Sequence, residues 1–322
     1  MATGIATARL DVCLDDPSSG LGARVLRRLS LDDHVRIVQM PECEVLVWLA
    51  AHDADARASR GESSLAGIMT ALASYRSIRH VVLVSSAMVY GAYANNPVPL
   101  TEDAVLRPDP EFAYARQLGA VEQLVDEWRS ADEGRTATIL RPAIAVAADG
   151  SSGLANSLAA GLGQRVGESD PPAQFLHLDD LASAVALAAE RRLDGVYNVA
   201  PDGWIAGERV RALAGAVPRI KLPERVHEVI TDLRWRFQRG PIPPGLLGYT
   251  RHPWLVANDR LRAEGWEPTV TNEQAYVEGT EAKWWTMVSP KRRQEIALGG
   301  MVALGVVVLL VVVRAVRQRT RR

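Results

Sequence analysis

The sequence has few of the residues on which stapled or metal-bound folds depend. Only two of its 322 residues are cysteine, Cys13 and Cys43, and both lie in apolar runs. That count excludes a disulfide scaffold, and we expect two buried thiols, with a structural disulfide as the less favoured alternative. No zinc-ligand spacing, phosphate-binding P-loop or Ser-His-Asp order occurs. The group His177, Asp179 and Asp180 is explained better by a strand end leading into an Asp-capped helix, so we expect no metal site.

Excess positive charge is missing from most of the chain. The formal net charge is −1, but the last 32 residues hold eight basic side chains and one acidic side chain, which sum to +7. Subtracting these from 37 basic and 38 acidic residues leaves 29 and 37, so the chain before residue 291 carries −8. An acidic body argues against general nucleic-acid binding, and we expect no nucleic-acid partner.

A secretory signal is not evident at the N-terminus, whereas the C-terminal end holds a long uncharged run. We therefore expect the globular part to be cytoplasmic. Residues 296–313, IALGGMVALGVVVLLVVV, would span about 27 Å as a helix, which is enough for a hydrocarbon core. Lys283, Trp284 and Trp285 precede the run and suit a headgroup region. We predict a transmembrane helix over 296–313, followed by a basic tail over 314–322, as a single C-terminal membrane anchor. Its orientation stays open, and an in-plane helix is an alternative.

Short apolar runs alternate with amphipathic helical patterns over the first 200 residues. This alternation predicts an α/β fold in which helices cover a parallel sheet. The predicted strands are Arg9–Leu14, Val35–Gln39, Val45–Leu49, His80–Val84, Thr136–Leu140 and Val196–Val199, and the predicted helices are Gly20–Leu29, Ser64–Tyr75 and Tyr114–Trp128. After residue 200 the pattern loosens, and we expect a smaller substrate-side lobe over 201–290. Within it, Arg234, Arg236 and Arg239 suit a solvated helix face, with a phosphate-bearing ligand as the alternative.

Seven stretches, in order, resemble the extended short-chain dehydrogenases/reductases of the NAD-dependent epimerase/dehydratase type. They are VLVWLAA (45–51), HVVLVSSAMVYG (80–91), YARQLGAVEQLV (114–125), TILRPA (138–143), QFLHLDDLASAVALA (174–188), GVYNVAPDG (195–203) and NDRLRAEGWEP (258–268). The resemblance implies a Rossmann-like NAD(P)-binding-type domain over 1–200, with NAD or NADP as cofactor. It implies cofactor contacts from Ala50, Arg141 and Pro142, and a possible homodimer.

The family's catalytic residues are only partly matched. In that family a Ser or Thr and a Tyr polarise a substrate hydroxyl or carbonyl, and a Lys one turn later lowers the pKa of the Tyr. The resemblance places Ser86 and Tyr114 in the first two roles, but Leu118 stands at the Lys position. We interpret Leu118 as a core residue. A phenol of pKa about 10 without a nearby ammonium is an inefficient acid or base at neutral pH. Arg116 points about 200° away around the helix and is a poor replacement. An inherited scaffold role for Ser86 and Tyr114 is the alternative.

The cofactor loop is also altered. The family has a glycine fingerprint after the first strand, but this chain has LDDPSSGLGARVLRRL. With Gly22 as the last glycine, Ser19 takes the middle position and Asp16 the first, so Asp15 and Asp16 lie where a diphosphate should bind. Each like-charge pair at about 4 Å costs on the order of 4 kcal/mol. We expect a degraded site at Ser19 and Gly22, and we favour a turn in which Ser18 or Ser19 caps the following helix.

The first half of the fold is short. Between Gly22 and the strand at 45–49 there is room for only one helix and one short strand, and Gln39 and Met40 follow that strand where an adenosine-binding residue is expected. We therefore expect a Rossmann-like sheet with a truncated first half. The predicted function is a membrane-anchored family member with impaired or lost pyridine-nucleotide redox chemistry, which binds an unknown small molecule or a partner. The alternative is an active oxidoreductase or epimerase on a nucleotide-sugar or lipid-linked substrate.

Overall fold

The structure, a computed structural model, describes residues 9–49, 60–148, 170–213 and 244–280, together with Leu154, Ala155, Leu158 and Leu162. These residues all belong to one compact unit, Met1–Glu281, and Ala282–Arg322 forms a second unit. In the described part of the chain, no helix is long and apolar enough to cross a membrane. The transmembrane segment and basic tail predicted over 296–322 lie outside the described residues, as do Ala50 and the three arginines of 234–239.

Six parallel strands form the central sheet, which confirms the predicted α/β class. In spatial order they are β2 (Val35–Ile37), β1 (Leu10–Leu14), β3 (Val45–Trp48), β4 (His80–Val84), β5 (Thr136–Pro142) and β8 (Gly195–Val199). Two further strands, β6 (Ile144–Val146) and β7 (Phe175–His177), pair in parallel outside this sheet. All residues of β3 and β4 are buried, as expected when helices cover both faces of a parallel sheet.

Helices cover the two faces of the sheet in separate layers. They are α1 (Gly20–Leu29), α2 (Arg60–Ser74), α3 (Ala113–Ser130), α4 (Leu178–Arg191), α5 (Gly207–Leu213), α6 (Leu247–Arg251), α7 (Asp259–Ala263) and α8 (Asn272–Gly279), with short 3₁₀ helices at Ala87–Tyr90 and Pro244–Leu246. The apolar faces of α1 and α4 share one buried cluster with β1, β3 and β4. Those of α2 and α3 share another cluster on the opposite side of the sheet. The three predicted helices are therefore confirmed, with small shifts at their ends.

The predicted shortening of the first half is visible in the strand order. Residues 38–44 connect β2 to β3 without a helix, although the two strands lie on opposite sides of β1. The edge strand β2 has only three residues. The sheet therefore lacks, within the described residues 9–49, the second crossover helix of a complete mononucleotide-binding half.

The expectation of two buried thiols is wrong, because Cys13 and Cys43 form a disulfide with their Cα atoms 5.6 Å apart. Val12 pairs with Val45 in the sheet, and the Glu44 N–H donates to the Asp11 carbonyl. This register brings the segment before β3 beside β1, and both cysteines face the layer of α2 and α3. The linear sequence does not reveal this proximity, because 30 residues separate the two positions.

The stretch FLHLDD forms a strand end that leads directly into a helix, as predicted, but its cap is different. His177 rather than an aspartate is the N-cap of α4, and its Nδ1 accepts a hydrogen bond of 3.2 Å from the Asp179 N–H. Asp180 is fully buried and accepts from the backbone N–H groups of Thr269 and Val270 and from the Thr269 hydroxyl, at 2.6–3.1 Å. Asp180 therefore attaches the segment before α8 to α4. No group of three potential metal ligands occurs among the residues that the structure describes.

Candidate functional site

Ser86 and Tyr114, the two predicted catalytic residues, line one cavity at the carboxyl ends of β4 and β5. Ser86 follows β4 in extended conformation and caps the first 3₁₀ helix, where its Oγ accepts from the Met88 N–H at 3.2 Å. Tyr114 lies in the first turn of α3. Pro142, predicted as a cofactor contact, ends β5 and lines the same cavity, which Trp254 closes from the C-terminal part of the chain. With Leu154, Ala155 and Leu158, the fold thus brings together described residues from five separate stretches.

The helix position that carries Lys in the family points away from this cavity. Leu118 is 3% exposed and packs with Val121 and Val125 in the layer between α3 and the sheet. Its interpretation as a core residue is therefore confirmed. Arg116 is exposed. None of the described residues that line the cavity is a lysine, arginine, histidine, aspartate or glutamate.

Arg141, predicted as a cofactor contact, is a buried ion-pair residue. Its guanidinium donates to the Glu122 carboxylate at 2.7–3.2 Å and to the Tyr90 hydroxyl at 2.8 Å. Glu122 in turn accepts from the Ser85 Oγ at 2.5 Å, and Tyr90 donates to Asn198 at 2.8 Å. Burial raises the pKa of Tyr90, so its hydroxyl stays protonated and can donate. This network joins α3, β5 and β8 to the residue that follows β4, and Arg141 is only 5% exposed.

The role of Ser85 was not predicted from the sequence. Its side chain is 1% exposed, and its hydroxyl hydrogen is directed to Glu122. The only signal was the Ser-Ser pair at the end of a buried strand. Since alternate residues of a strand point to opposite faces, one of two adjacent serines must turn inward. A buried hydroxyl needs a partner, and Glu122 at a helix position in the core is the group that supplies it.

In the turn between β1 and α1, the backbone N–H groups that could bind an anion donate to side chains of the same turn. The Asp16 carboxylate accepts from the N–H groups of Ser18 and Ser19 at 3.2 and 3.1 Å and from the Ser18 hydroxyl at 2.8 Å. The Ser19 Oγ accepts from the Gly22 N–H at 3.0 Å and is the N-cap of α1, which confirms the predicted cap. In a dinucleotide-binding turn, such N–H groups receive the diphosphate. Here side chains of the same turn occupy them.

Gly22 and Asp15 fix the shape of this turn. A Cβ atom on Gly22 would overlap the Asp16 carbonyl oxygen, so the glycine allows the close approach of helix and turn. The Asp15 Oδ1 accepts from the N–H groups of Leu49 and Asp16, each at 2.9 Å. Burial raises the pKa of Asp15 to about 6. The turn therefore holds two carboxylates at the place where the family resemblance puts the diphosphate of a dinucleotide.

Comparison with known proteins identifies the family. The model of the "NAD dependent epimerase/dehydratase family" matches residues 23–200, more than half of the chain. Uncharacterized proteins of Mycobacterium tuberculosis and Mycobacterium bovis are 25% identical over 270 residues, which cover 78% of this chain and 72% of theirs.

Solved structures with the same fold have lower sequence identity. UDP-glucose 4-epimerase of Thermotoga maritima, solved with UDP-glucose, has a TM-score of 0.60 at 16% identity and covers 84% of this chain and 97% of its own. RMD of Pseudomonas aeruginosa, complexed with NADPH, has a TM-score of 0.56 at 19% identity, with 84% and 96% covered. UDP-glucose 4-epimerase of Thermus thermophilus, in complex with NAD, has a TM-score of 0.58 at 16% identity, with 84% and 97% covered. The fold, the motifs and the matched family model together show that this chain belongs to the NAD-dependent epimerase/dehydratase family.

Proposed function

We propose that this protein is a membrane-anchored family member that has lost pyridine-nucleotide redox chemistry and binds a small molecule or a partner at the retained site. The observation that carries the proposal is the position of the Asp16 carboxylate on the N–H groups of Ser18 and Ser19. A dinucleotide would have to displace an internal ligand before it could use these groups. The match to the family model begins at residue 23, directly after this turn.

The energies involved are large enough to abolish binding. A diphosphate next to Asp15 and Asp16 would add like-charge pairs that cost on the order of 4 kcal/mol each at about 4 Å. Two such pairs are comparable with the total binding free energy of a micromolar site, about 8 kcal/mol. Protonation of Asp15 would relieve one of them, but its pKa of about 6 leaves it mostly ionised at neutral pH.

The second support comes from the cavity. The position of the family's lysine is taken by Leu118, which lies in the core, and no lysine occurs in the described lining. Ser86 and Tyr114 could still hold a hydroxyl or carbonyl group by hydrogen bonds. The retained geometry therefore supports binding better than proton transfer.

Thermal unfolding of the full chain with NAD, NADH, NADP or NADPH tests the proposal. A micromolar site at 1 mM ligand stabilises a protein by about 4 kcal/mol, which corresponds to several degrees in Tm. We expect no shift with any of the four dinucleotides. A shift of several degrees with one of them, together with turnover of a nucleotide-sugar, would favour the second candidate, an active oxidoreductase or epimerase. The presence of Ser86 and Tyr114 in one cavity is the observation that supports that candidate.

A further inference from the structure

Two stretches of the described domain expose large apolar side chains near the edge strand β8. Eight side chains of this kind are exposed among the described residues, and half of them lie in these two stretches: Val98, Val105, Leu106 and Trp204. Three of the four belong to the loop between the first 3₁₀ helix and α3, residues 91–112, and the fourth follows β8. Single exposed apolar side chains are ordinary, whereas a group of them marks a contact surface. We call this group the β8-edge surface.

The loop that carries three of these side chains is fixed to the domain. The Glu102 carboxylate accepts from the Asn198 N–H of β8 at 2.9 Å. The buried Asn96 amide donates to the Pro253 carbonyl at 3.2 Å, and the Arg107 guanidinium donates to the Asn96 amide oxygen at 2.8 Å. The apolar side chains of the loop therefore project from a backbone that is held in place.

Trp204 lies close to this loop, although about 100 residues separate them in the chain. Leu100, in the loop, is paired with Val256. The side-chain amide of Gln174 donates to the carbonyls of Val256 and Gly203, each at 3.0 Å. The residue before Trp204 is therefore joined through one side chain to the partner of Leu100, and the two stretches belong to the same side of the domain.

Contact with an apolar phase would cost these stretches little. Residues 97–101 and 104–106 hold no charged side chain. Of the two carboxylates between them, that of Glu102 accepts from β8, and that of Asp103 pairs with the Arg260 guanidinium at 3.2 Å. Four residues of the loop are prolines, which have no N–H group that would lose its water: Pro97, Pro99, Pro108 and Pro110.

A lipid bilayer is the partner that the position of the predicted anchor favours. The described residues end at 280 and the apolar run begins at 296, so the 15 residues between them reach at most about 50 Å. A domain held within this distance meets the bilayer at an effective concentration on the order of millimolar. A small apolar surface is then occupied, although it would hold a free domain only weakly.

We propose that the β8-edge surface lies against the bilayer, with the Trp204 indole among the lipid headgroups, where tryptophan is favoured. The paired charges of the loop suit zwitterionic headgroups. This inference rests on the membrane anchor of the proposed function, and it adds which side of the domain faces the lipid.

Site-specific fluorescence of the full chain in phosphatidylcholine vesicles tests this orientation. Val98→Cys and Val105→Cys are labelled with nitrobenzoxadiazole, and emission is compared with and without nitroxide-labelled lipid. The native cysteines do not react, because they form the buried disulfide. We expect quenching of about twofold or more at both positions, since apolar groups on a bilayer enter the headgroup boundary. Leu31→Cys is the matched control: Leu31 is 79% exposed and Val105 74%, but Leu31 lies beside β2, at the opposite edge of the sheet, and should not be quenched.

Flotation of the vesicles separates failure of this inference from failure of the anchor. A chain that does not float with the vesicles overturns the anchor and, with it, the bilayer contact. A chain that floats but is quenched equally at all three positions, or at neither Val98 nor Val105, overturns the bilayer contact alone. Emission at Val98 and Val105 that changes with the protein-to-lipid ratio and not with the nitroxide would assign the surface to a second copy of the chain instead.

Discussion

By the family resemblance Asp16 and Ser19 stand at glycine positions, and their side chains accept hydrogen bonds from N–H groups of the first turn. Replacing both by glycine, Asp16→Gly with Ser19→Gly, removes the internal ligand and exposes the N–H groups of the turn. Loss of the Ser19 cap to glycine costs only a few tenths of a kcal/mol. We expect the variant to gain a Tm shift with 1 mM NADH, measured by differential scanning fluorimetry, that the wild type lacks.

The control for this variant is Asp33→Gly with Ser30→Gly, which changes the same residue types at the exposed far end of α1. It should behave as the wild type does. An equal NADH shift in wild type and variant would show that Asp16 does not block the turn.

Asp15 gives a second test at the scale of one residue, through the pH dependence of stability. Its folded pKa of about 6 lies above the ordinary value of 3.8, so the folded state binds a proton more tightly than the unfolded chain. The free energy of unfolding therefore falls as the pH rises from about 4 through 6 and stays lowered above this range. The full shift corresponds to about 3 kcal/mol, and solvent screening of a half-buried group reduces it to about 1–2 kcal/mol.

Asp15→Asn keeps the oxygen that accepts from Leu49 and Asp16 but removes the charge. Urea unfolding should show the variant about 1–2 kcal/mol more stable than the wild type at pH 7.5, with little difference at pH 4. The exposed Asp33→Asn should leave the pH profile unchanged. A variant that is less stable than the wild type at pH 7.5 would contradict the raised pKa.

At the scale of elements, the six predicted strands and the three predicted helices followed from the sequence, whereas contacts between residues far apart in the chain did not. The uniformly apolar sequences of β3 and β4 predicted these two strands, because parallel strands that are covered on both faces are apolar along their whole length. The stripe of Leu118, Val121 and Val125 marked the inner face of α3 in the same way. The Asp180 contacts could not be predicted, since they join residues about 90 positions apart whose proximity only the fold determines. The ion pair of Arg141 was not predicted for the same reason, because its partner Glu122 lies on another element.

The attachment of α4 to the segment before α8 can be measured. Asp180→Ala removes a fully buried acceptor and leaves the N–H groups of Thr269 and Val270 without it, which should lower the free energy of unfolding by about 3 kcal/mol. Faster hydrogen exchange at these two amides should accompany the loss. Asp179→Ala is the neighbouring control, because that side chain is half-exposed and its ion pair with Arg24 should contribute about 1 kcal/mol at most. Equal effects of the two substitutions would contradict this role of Asp180.

At the scale of the whole molecule, the proposed membrane anchor lies in residues 296–313. We propose that this run holds the protein on a bilayer, since an arginine at the centre of a spanning helix costs about 2.5–3.5 kcal/mol. The full-length variant Val307→Arg with Leu309→Arg should therefore move from the membrane pellet to the supernatant on ultracentrifugation. Val105→Arg with Val277→Arg changes two exposed valines of the described domain and should stay with the membrane. A double-arginine variant that still sediments with membranes would count against the anchor.

At this scale, the oligomeric state could not be predicted from the sequence, because it depends on contacts with other chains. A possible homodimer, suggested only by analogy with the family, stays a prediction that sedimentation of the purified protein can measure. The shortened first half, by contrast, was readable from chain length alone, because residues 38–44 are too few to form a crossover helix between β2 and β3.

The internal ligand of the first turn has a consequence for the cell. A carboxylate attached two residues from the groups it binds has an effective concentration that the fold sets, and metabolism does not change it. NADH is a freely diffusing competitor for the same N–H groups. A change in its concentration therefore acts on a turn whose N–H groups are already occupied. We therefore expect this protein to keep one conformation at the turn when the redox state of its surroundings fluctuates.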